Sequence, residues 1–362
     1  MRRVSEHPAP RSRPRPRGRL APVLVAAGAA LGAAAVAVYA RAKKAERRHP
    51  PIGRFVSAEG VRLHYLERGR GAAVVLLHGN GSMIEELLTS GLVERLARSH
   101  RVLVFDRPGF GYSSRPRGRL WTPAAQARLI AEALAKLGVH EAVVYGHSLG
   151  VQVAVSLALC DPGLVRGLVL ASGYLYPTAR VDVPVLVPVG LPVVGDVLRY
   201  TVSPALTSLL LPRFYERIFA PAPVPDRFRR EFPHDCLLRP WHLRATGEDT
   251  VFLIPAAAAA HEHYASLRPP VTLITGDGDR IVEPARHTLR LHEDLPGSRL
   301  VVVPGAGHMI HHAALDAVAE AIEAVCAEAF GAHVSHRAGR REQGLDRRAV
   351  PNEPSGIAAR FR

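Results

Sequence analysis

Cysteine is scarce in this 362-residue chain. Cys160, Cys236 and Cys326 are too few and too scattered for a disulfide framework, and no Cys-x-x-Cys pair suggests a zinc site. No internal repeat is apparent, so nothing indicates a repeat architecture. Apolar residues are not in short supply: 48% of the chain is hydrophobic and 22% charged, a globular composition that excludes disorder throughout. Acid is what the sequence lacks. Against 47 Lys and Arg stand 32 Asp and Glu, a net of +15, which is a balance shared with nucleic-acid-binding and membrane-binding chains.

The excess sits in the tails. Residues 1–54 hold 13 basic and 2 acidic side chains, and residues 333–362 hold 7 and 3. The remainder, 55–332, is balanced at 27 of each. A duplex-binding domain needs a basic face on its folded body, so no nucleic-acid partner is expected. Residues 1–19 are Arg/Pro-rich and read as a disordered basic tail. Residues 20–40 are uncharged, about 31 Å as a helix at ~1.5 Å per residue, long enough to span a bilayer. Ten of these 21 residues are Ala and seven are Leu or Val. The stretch exceeds a usual signal-peptide apolar region, so a transmembrane or signal-anchor helix is expected rather than a cleaved signal. Residues 41–54 form a basic linker, and 333–362 a second disordered tail. Basic residues flank the span on both sides, with a slight excess before it, which places the chain at a membrane with its body leaning to the non-cytoplasmic side.

From 55 to 332 the pattern is that of one α/β domain. Short apolar runs at Val61–Leu66, Ala73–Leu77, Arg101–Phe105, Ala142–Tyr145, Gly167–Ala171, Val271–Thr275 and Arg299–Val303 read as strands, several without alternation, as strands buried on both faces are. Helical stretches lie between them at Glu85–Arg98, Pro123–Leu137, Leu149–Leu159, Pro284–Leu295 and His312–Ala329. Strand alternating with helix predicts a mostly parallel central sheet with helices on both faces. Residues 173–266 break the rhythm and read as a mainly helical cap inserted between two strands.

Val143-Val144-Tyr145-Gly146-His147-Ser148-Leu149-Gly150 is a strand running into Gly-x-Ser-x-Gly and then a helix. That context marks a nucleophile elbow. A strained turn exposes Ser148 Oγ at a helix N-terminus, whose free N–H groups favour developing negative charge. Two further motifs stand at strand ends: Leu77-His78-Gly79-Asn80-Gly81 after one strand, and Asp106-Arg107-Pro108-Gly109-Phe110-Gly111-Tyr112-Ser113 after the next. Over roughly 52–330 the chain resembles the α/β-hydrolase superfamily, in its serine-nucleophile, lidded, esterase-like branch.

The resemblance implies an oxyanion hole from the backbone N–H groups of Asn80 and Leu149. It also implies a Ser–His–Asp triad in the order nucleophile, acid, base. Asp279, in Gly276-Asp277-Gly278-Asp279 after a strand, occupies the acid position, with Asp277 as runner-up and turn-former. His308, in Pro304-Gly305-Ala306-Gly307-His308, occupies the base position. His78 is expected to hydrogen-bond its own loop and His147 to point away from Oγ, while His311 and His312 read as solvated residues at a helix start. Asp106 is expected to anchor its turn. No metal site is expected at His261-Glu262-His263, and no cofactor is needed. Ser148 argues against dehalogenase and epoxide-hydrolase chemistry, which place an aspartate at the elbow. A carboxylic ester of small or medium apolar character is the expected substrate. C–C bond hydrolysis, peracid formation and acyl transfer use the same triad, and a non-catalytic ligand-binding homologue is the rival from another class.

Overall fold

The computed structural model describes residues 20–180 and 183–345. The expected tail at 1–19 and the stretch beyond 345 lie outside the described residues. Among the described residues eight strands form one sheet: β1 Arg54–Ala58, β2 Val61–Arg68, β3 Ala73–Leu77, β4 Arg101–Phe105, β5 Ala142–His147, β6 Val165–Ala171, β7 Val271–Gly276 and β8 Arg299–Val303. Their order is β1-β2-β4-β3-β5-β6-β7-β8, with β1 and β2 antiparallel and every pair from β4 to β8 parallel. β3 and β5 are buried along their whole length. Successive residues serve opposite layers, Val75 and Leu77 facing one core and Val74 and Leu76 the other. All seven expected strands are present. β1 is additional.

Helix α1 spans Leu20–Arg48 and is long and apolar enough to cross a membrane, as an anchor or as a signal sequence. It continues through 41–48, which are helical rather than linker, because Ala, Lys, Glu and Arg are strong helix formers and Ala42 and Ala45 are buried against the body. On the sheet, the expected helix 85–98 is two: α2 Ile84–Thr89 and α3 Leu92–Leu96. Gly91 between them adopts φ +87, a conformation that stops the first helix and starts the second. α4 Pro123–Lys136 begins with Pro at its first position and Thr122 Oγ1 accepting from Ala125 N at 3.2 Å. α4 and α5 Gly150–Cys160 cover one face of the sheet, while α2, α3 and the last helix cover the other.

The cap between β6 and β7 comprises α6 Val183–Gly190, α7 Val194–Tyr200, α8 Ser203–Phe219, α9 Asp226–Glu231 and α10 Pro240–His261. After β7 come α11 Thr288–Asp294, α12 Ile310–Ala313 and α13 Leu315–Leu345. Residues 333–345 are thus helical where a disordered tail was expected, continuing the helix that the Ala- and Glu-rich stretch before them begins.

The elbow glycines are set by close approach. A Cβ on Gly150 would lie 2.4 Å from Leu77 O and 2.7 Å from His78 O, and one on Gly146 would lie 2.7 Å from Gly150 O. Backbone cannot give way as a side-chain tip does. Gly150→Ala should therefore lower unfolding free energy by about 1–3 kcal/mol, the usual cost of overpacking. Denaturant titration reads this directly, and an unchanged midpoint would contradict it.

Candidate active site

Ser148 lies at the tip of β5, where the chain turns into α5. Its φ is +54, a left-handed conformation that L-residues seldom hold. Ser148 N donates to Ala171 O at 2.9 Å, so the turn is pinned to the neighbouring strand. Leu149 is the N-cap of α5, placing its N–H at the end of the helix where donors are unspent.

His308 leaves β8 through the Gly305–Gly307 loop. Its Nδ1 bonds Asp279 Oδ2 at 2.8 Å, and both residues are buried. The other Asp279 oxygen accepts from Ile281 N and Val282 N at 2.8 and 2.9 Å. Burial pushes the Asp279 carboxyl up, but the charge and hydrogen bond of His308, helped by the two amides, outweigh it and hold the carboxyl below its ordinary value. A carboxylate lowered in the folded state stabilises it above the unfolded pKa of about 4, and that contribution is lost as pH falls through the folded value. The stability advantage of the wild type over Asp279→Asn should accordingly be full at neutral pH and shrink on acidification below about pH 4. Chemical denaturation across pH measures it, and a gap that widens in acid would reverse the sign. Asp277 does not contact His308 but accepts from Gly305 N at 2.7 Å, tying down the loop as a turn-former.

Asn80 follows β3. Gly79 O, which belongs to the same peptide unit as Asn80 N–H, accepts from His78 Nδ1 at 2.8 Å and from Arg107 Nη2 at 2.9 Å. A trans peptide is planar, with C=O and N–H opposed. Two donors holding the carbonyl on one side therefore aim the Asn80 N–H the other way. The Asn80 side chain reaches α10 of the cap, donating to Thr250 Oγ1 at 2.9 Å and Thr246 O at 3.2 Å. His78 Nε2 accepts from Arg107 N at 3.0 Å, which fixes the neutral tautomer with its proton on Nδ1. Burial, and then the Arg107 charge, push His78 down to about 4.

Ser148, His308, Asn80 and Leu149 all line one cavity of about 530 Å³. That is the size of a small-molecule site. Its walls are mostly apolar and come largely from the cap. The structure thus brings the five sequence-predicted residues together, four on the cavity and Asp279 behind His308.

The other expectations fare unevenly. Asp106 does anchor its turn, accepting from Ile84 N and Tyr112 N at 2.9 Å each and pairing with His64 Nδ1 at 2.6 Å. His147 Nε2 donates to the His308 carbonyl at 3.0 Å, and burial, with the neighbouring His311 and His308, drives its pKa well down. His311 and His312 are not solvated. α12 follows the His308 loop, and there His311 bonds Tyr145 OH at 3.1 Å and Glu86 of α2, and burial first of all pushes both histidines down to about 3. Glu86, His311 and His312 bring possible ligand atoms within 4.8 Å of one another, although in this geometry His311 and Glu86 engage each other.

Sequence reasoning missed the charge cluster beneath the site. Arg107, fully buried, donates to His78 O and Gly79 O at 2.9 Å each, to Gln126 Oε1 at 2.9 Å and to Asp249 Oδ2 at 2.6 Å. Asp249, on cap helix α10, also accepts from Arg115 Nη1 at 2.9 Å. Arg107 stands inside a motif that was read for its turn; Asp249 has no local signal at all.

A family model for the alpha/beta hydrolase fold matches residues 72–314. The 2-hydroxymuconate semialdehyde hydrolase of Pseudomonas putida is 29% identical over 303 residues, covering 80% of this chain and 99% of that protein. Among solved structures, an esterase from Exiguobacterium antarcticum superposes with TM-score 0.63 at 21% identity, over 75% of this chain and 98% of that one. A membrane phospholipase A, described as a bacterial virulence factor, gives TM-score 0.59 at 19% identity and covers 86% and 97%. At such identities the two structures speak for the fold.

Proposed function

The chain belongs to the α/β-hydrolase family, and from that premise we propose that it is a membrane-anchored serine hydrolase cleaving small or medium apolar carboxylic esters through an acyl-enzyme. The observation carrying this reading is the strained Ser148 turn opening on the same cavity as a His308 held by a buried Asp279. His308 takes the Ser148 proton as Oγ attacks the ester carbonyl carbon. The Asn80 and Leu149 N–H groups receive the oxyanion. His308 then passes its proton to the departing alkoxide as the C–O bond breaks. A water, deprotonated by the same imidazole, attacks the acyl-enzyme and releases the acid. Asp279 keeps the imidazole in the tautomer that leaves Nε2 free to accept. The chemistry uses the chain's own groups throughout.

Anchoring rather than signal cleavage is favoured by how α1 ends. Its last turns are docked: Glu46 pairs with Arg239 at 3.4 Å, Arg48 with Asp235 at 3.3 Å, and Tyr112 OH donates to the His49 carbonyl. The helix runs without a break from the uncharged stretch into these docked turns, leaving no extended segment between them for cleavage.

Full-length protein in detergent, exposed to a fluorophosphonate probe, tests the reading. Covalent labelling is expected, together with turnover of acyl esters of graded length and a steep preference for one length. Failure of well-folded protein to label would overturn it, and ligand-dependent stabilisation without turnover would replace it with a binding role. The end-to-end match to the Pseudomonas putida relative favours one second reading, C–C bond hydrolysis. Faster turnover of 2-hydroxymuconate semialdehyde than of any ester would select it.

A further inference from the structure

Residues 183–212 of the cap contain only two charged side chains, Asp196 and Arg199. These are paired with each other, and Asp196 also pairs with Arg117. A soluble surface of that length would carry about eight. In place of charge it presents Val185, Val197, Leu206, Leu209 and Leu210, with Phe214 following on α8, each between 43% and 75% exposed. Continuous apolar surface on this scale marks an interaction site.

Two further observations say what covers it. First, Val185, Leu206, Leu210 and Phe214 are exposed on the outside and also line the Ser148 cavity, so the cavity mouth opens through the patch itself. Second, α1 packs on this part of the molecule. Where its uncharged stretch ends at Ala40, the buried Ala42 and Ala45 follow, and the helix contacts α7, α10 and the short turn His234–Leu238. α6 and α7 meet at 97°, so the two do not run on as one straight helix. On α8 the apolar stretch ends at the exposed Arg213 and Arg217, suited to anionic headgroups at the level where hydrocarbon gives way to water.

We propose that α6–α8 lie in the headgroup–acyl boundary of the membrane beside α1, and that the Ser148 cavity is loaded from the bilayer, with a lipid-borne acyl ester as its substrate class. The proposal rests on the anchored serine-hydrolase reading above and sharpens its substrate. A helical surface with one apolar face binds at this depth. An amphiphile already in the membrane reaches the cavity without crossing water, its acyl chain entering along the aliphatic wall and its ester stopping at Ser148.

The test uses full-length protein in vesicles of phosphatidylcholine and phosphatidylglycerol. Leu209→Trp fluorescence, corrected for Trp121 and Trp241 with the wild type, should be quenched by bromines on the lipid acyl chains and shielded from aqueous iodide. Wild type should release fatty acid from the vesicle lipid. Val197→Glu/Leu209→Glu, neither residue lining the cavity, should slow that release by about tenfold or more while dissolved short-chain ester turnover stays within about twofold. Three results would overturn the proposal and leave the serine-hydrolase reading standing. One is iodide quenching without bromolipid quenching. Another is turnover of dissolved ester with no fatty acid released. The third is shielding that follows protein rather than lipid concentration, which assigns the patch to a second copy. Absence of both probe labelling and all turnover would remove both readings.

Discussion

Ser148→Ala is expected to abolish fluorophosphonate labelling and to lower kcat on a dissolved ester by about 10⁴-fold or more, with KM little changed. The size of the loss follows from the role. In the proposed mechanism Oγ is the atom that bonds to substrate, and neither His308 nor the amide donors would supply a substitute for it. What remains is catalysis by oriented donors acting on adventitious water. Loss of activity alone would not distinguish a nucleophile from a structural residue, so stability must be read beside it. Ser148 holds φ +54, where a side chain costs energy and glycine does not. Ser148→Gly should therefore be as inactive as the alanine variant yet more stable than wild type, by about 1 kcal/mol. A structural serine would lose both properties together. Persistence of labelling or turnover in Ser148→Ala would end the nucleophile assignment.

The contrast between what local sequence revealed and what it hid has a physical basis. Strands buried on both faces, as β3 to β7 largely are, must be apolar throughout, so their runs stood out; all seven expected strands, with β2 and β8, are in the sheet. β1 escaped because its run, Arg54-Phe55-Val56-Ser57-Ala58, has no continuous aliphatic stretch, whereas the opposite edge strand β8 carries Leu300 to Val303 in a row. The break at Gly91 was invisible because a glycine inside an amphipathic run is compatible with a continuous helix until its φ is known. At the candidate site, Ser148 stood out through its strand–turn–helix context, while Asp279 and His308 were singled out through the family resemblance, each in a turn at a strand's end. His311 and His312 were misread because their burial is decided by Glu86, 225 and 226 residues away on α2. Arg107 and Asp249 are separated by 142 residues. Neither periodicity nor turn chemistry reports on an ion pair of that span, and the cap that delivers Asp249 was legible only as an insertion.

That ion pair supports the second large effect. Asp249→Ala should cost about 3–5 kcal/mol of stability, the usual loss when one partner of a buried pair is removed. Arg107 is fully buried, and burial pushes its pKa down against the opposing pull of Asp249, yet a guanidinium stays charged in a protein. Without Asp249, Arg107 loses its buried counter-charge and Arg115 keeps Glu248 as its acidic partner. The catalytic consequence travels through one peptide plane. Arg107 grips Gly79 O, and Gly79 O opposes Asn80 N–H across a rigid unit. If Arg107 drifts, the N–H loses its aim, so kcat should fall by about tenfold or more in the folded protein while KM holds. The two effects separate in Arg107→Met/Asp249→Leu. Replacing a buried ion pair by apolar side chains restores stability, but nothing then holds Gly79 O from the arginine side, so the variant should fold well and remain slow. Full activity in that double variant would show that His78 alone aims the peptide, leaving the buried pair a purely structural tie between cap and sheet.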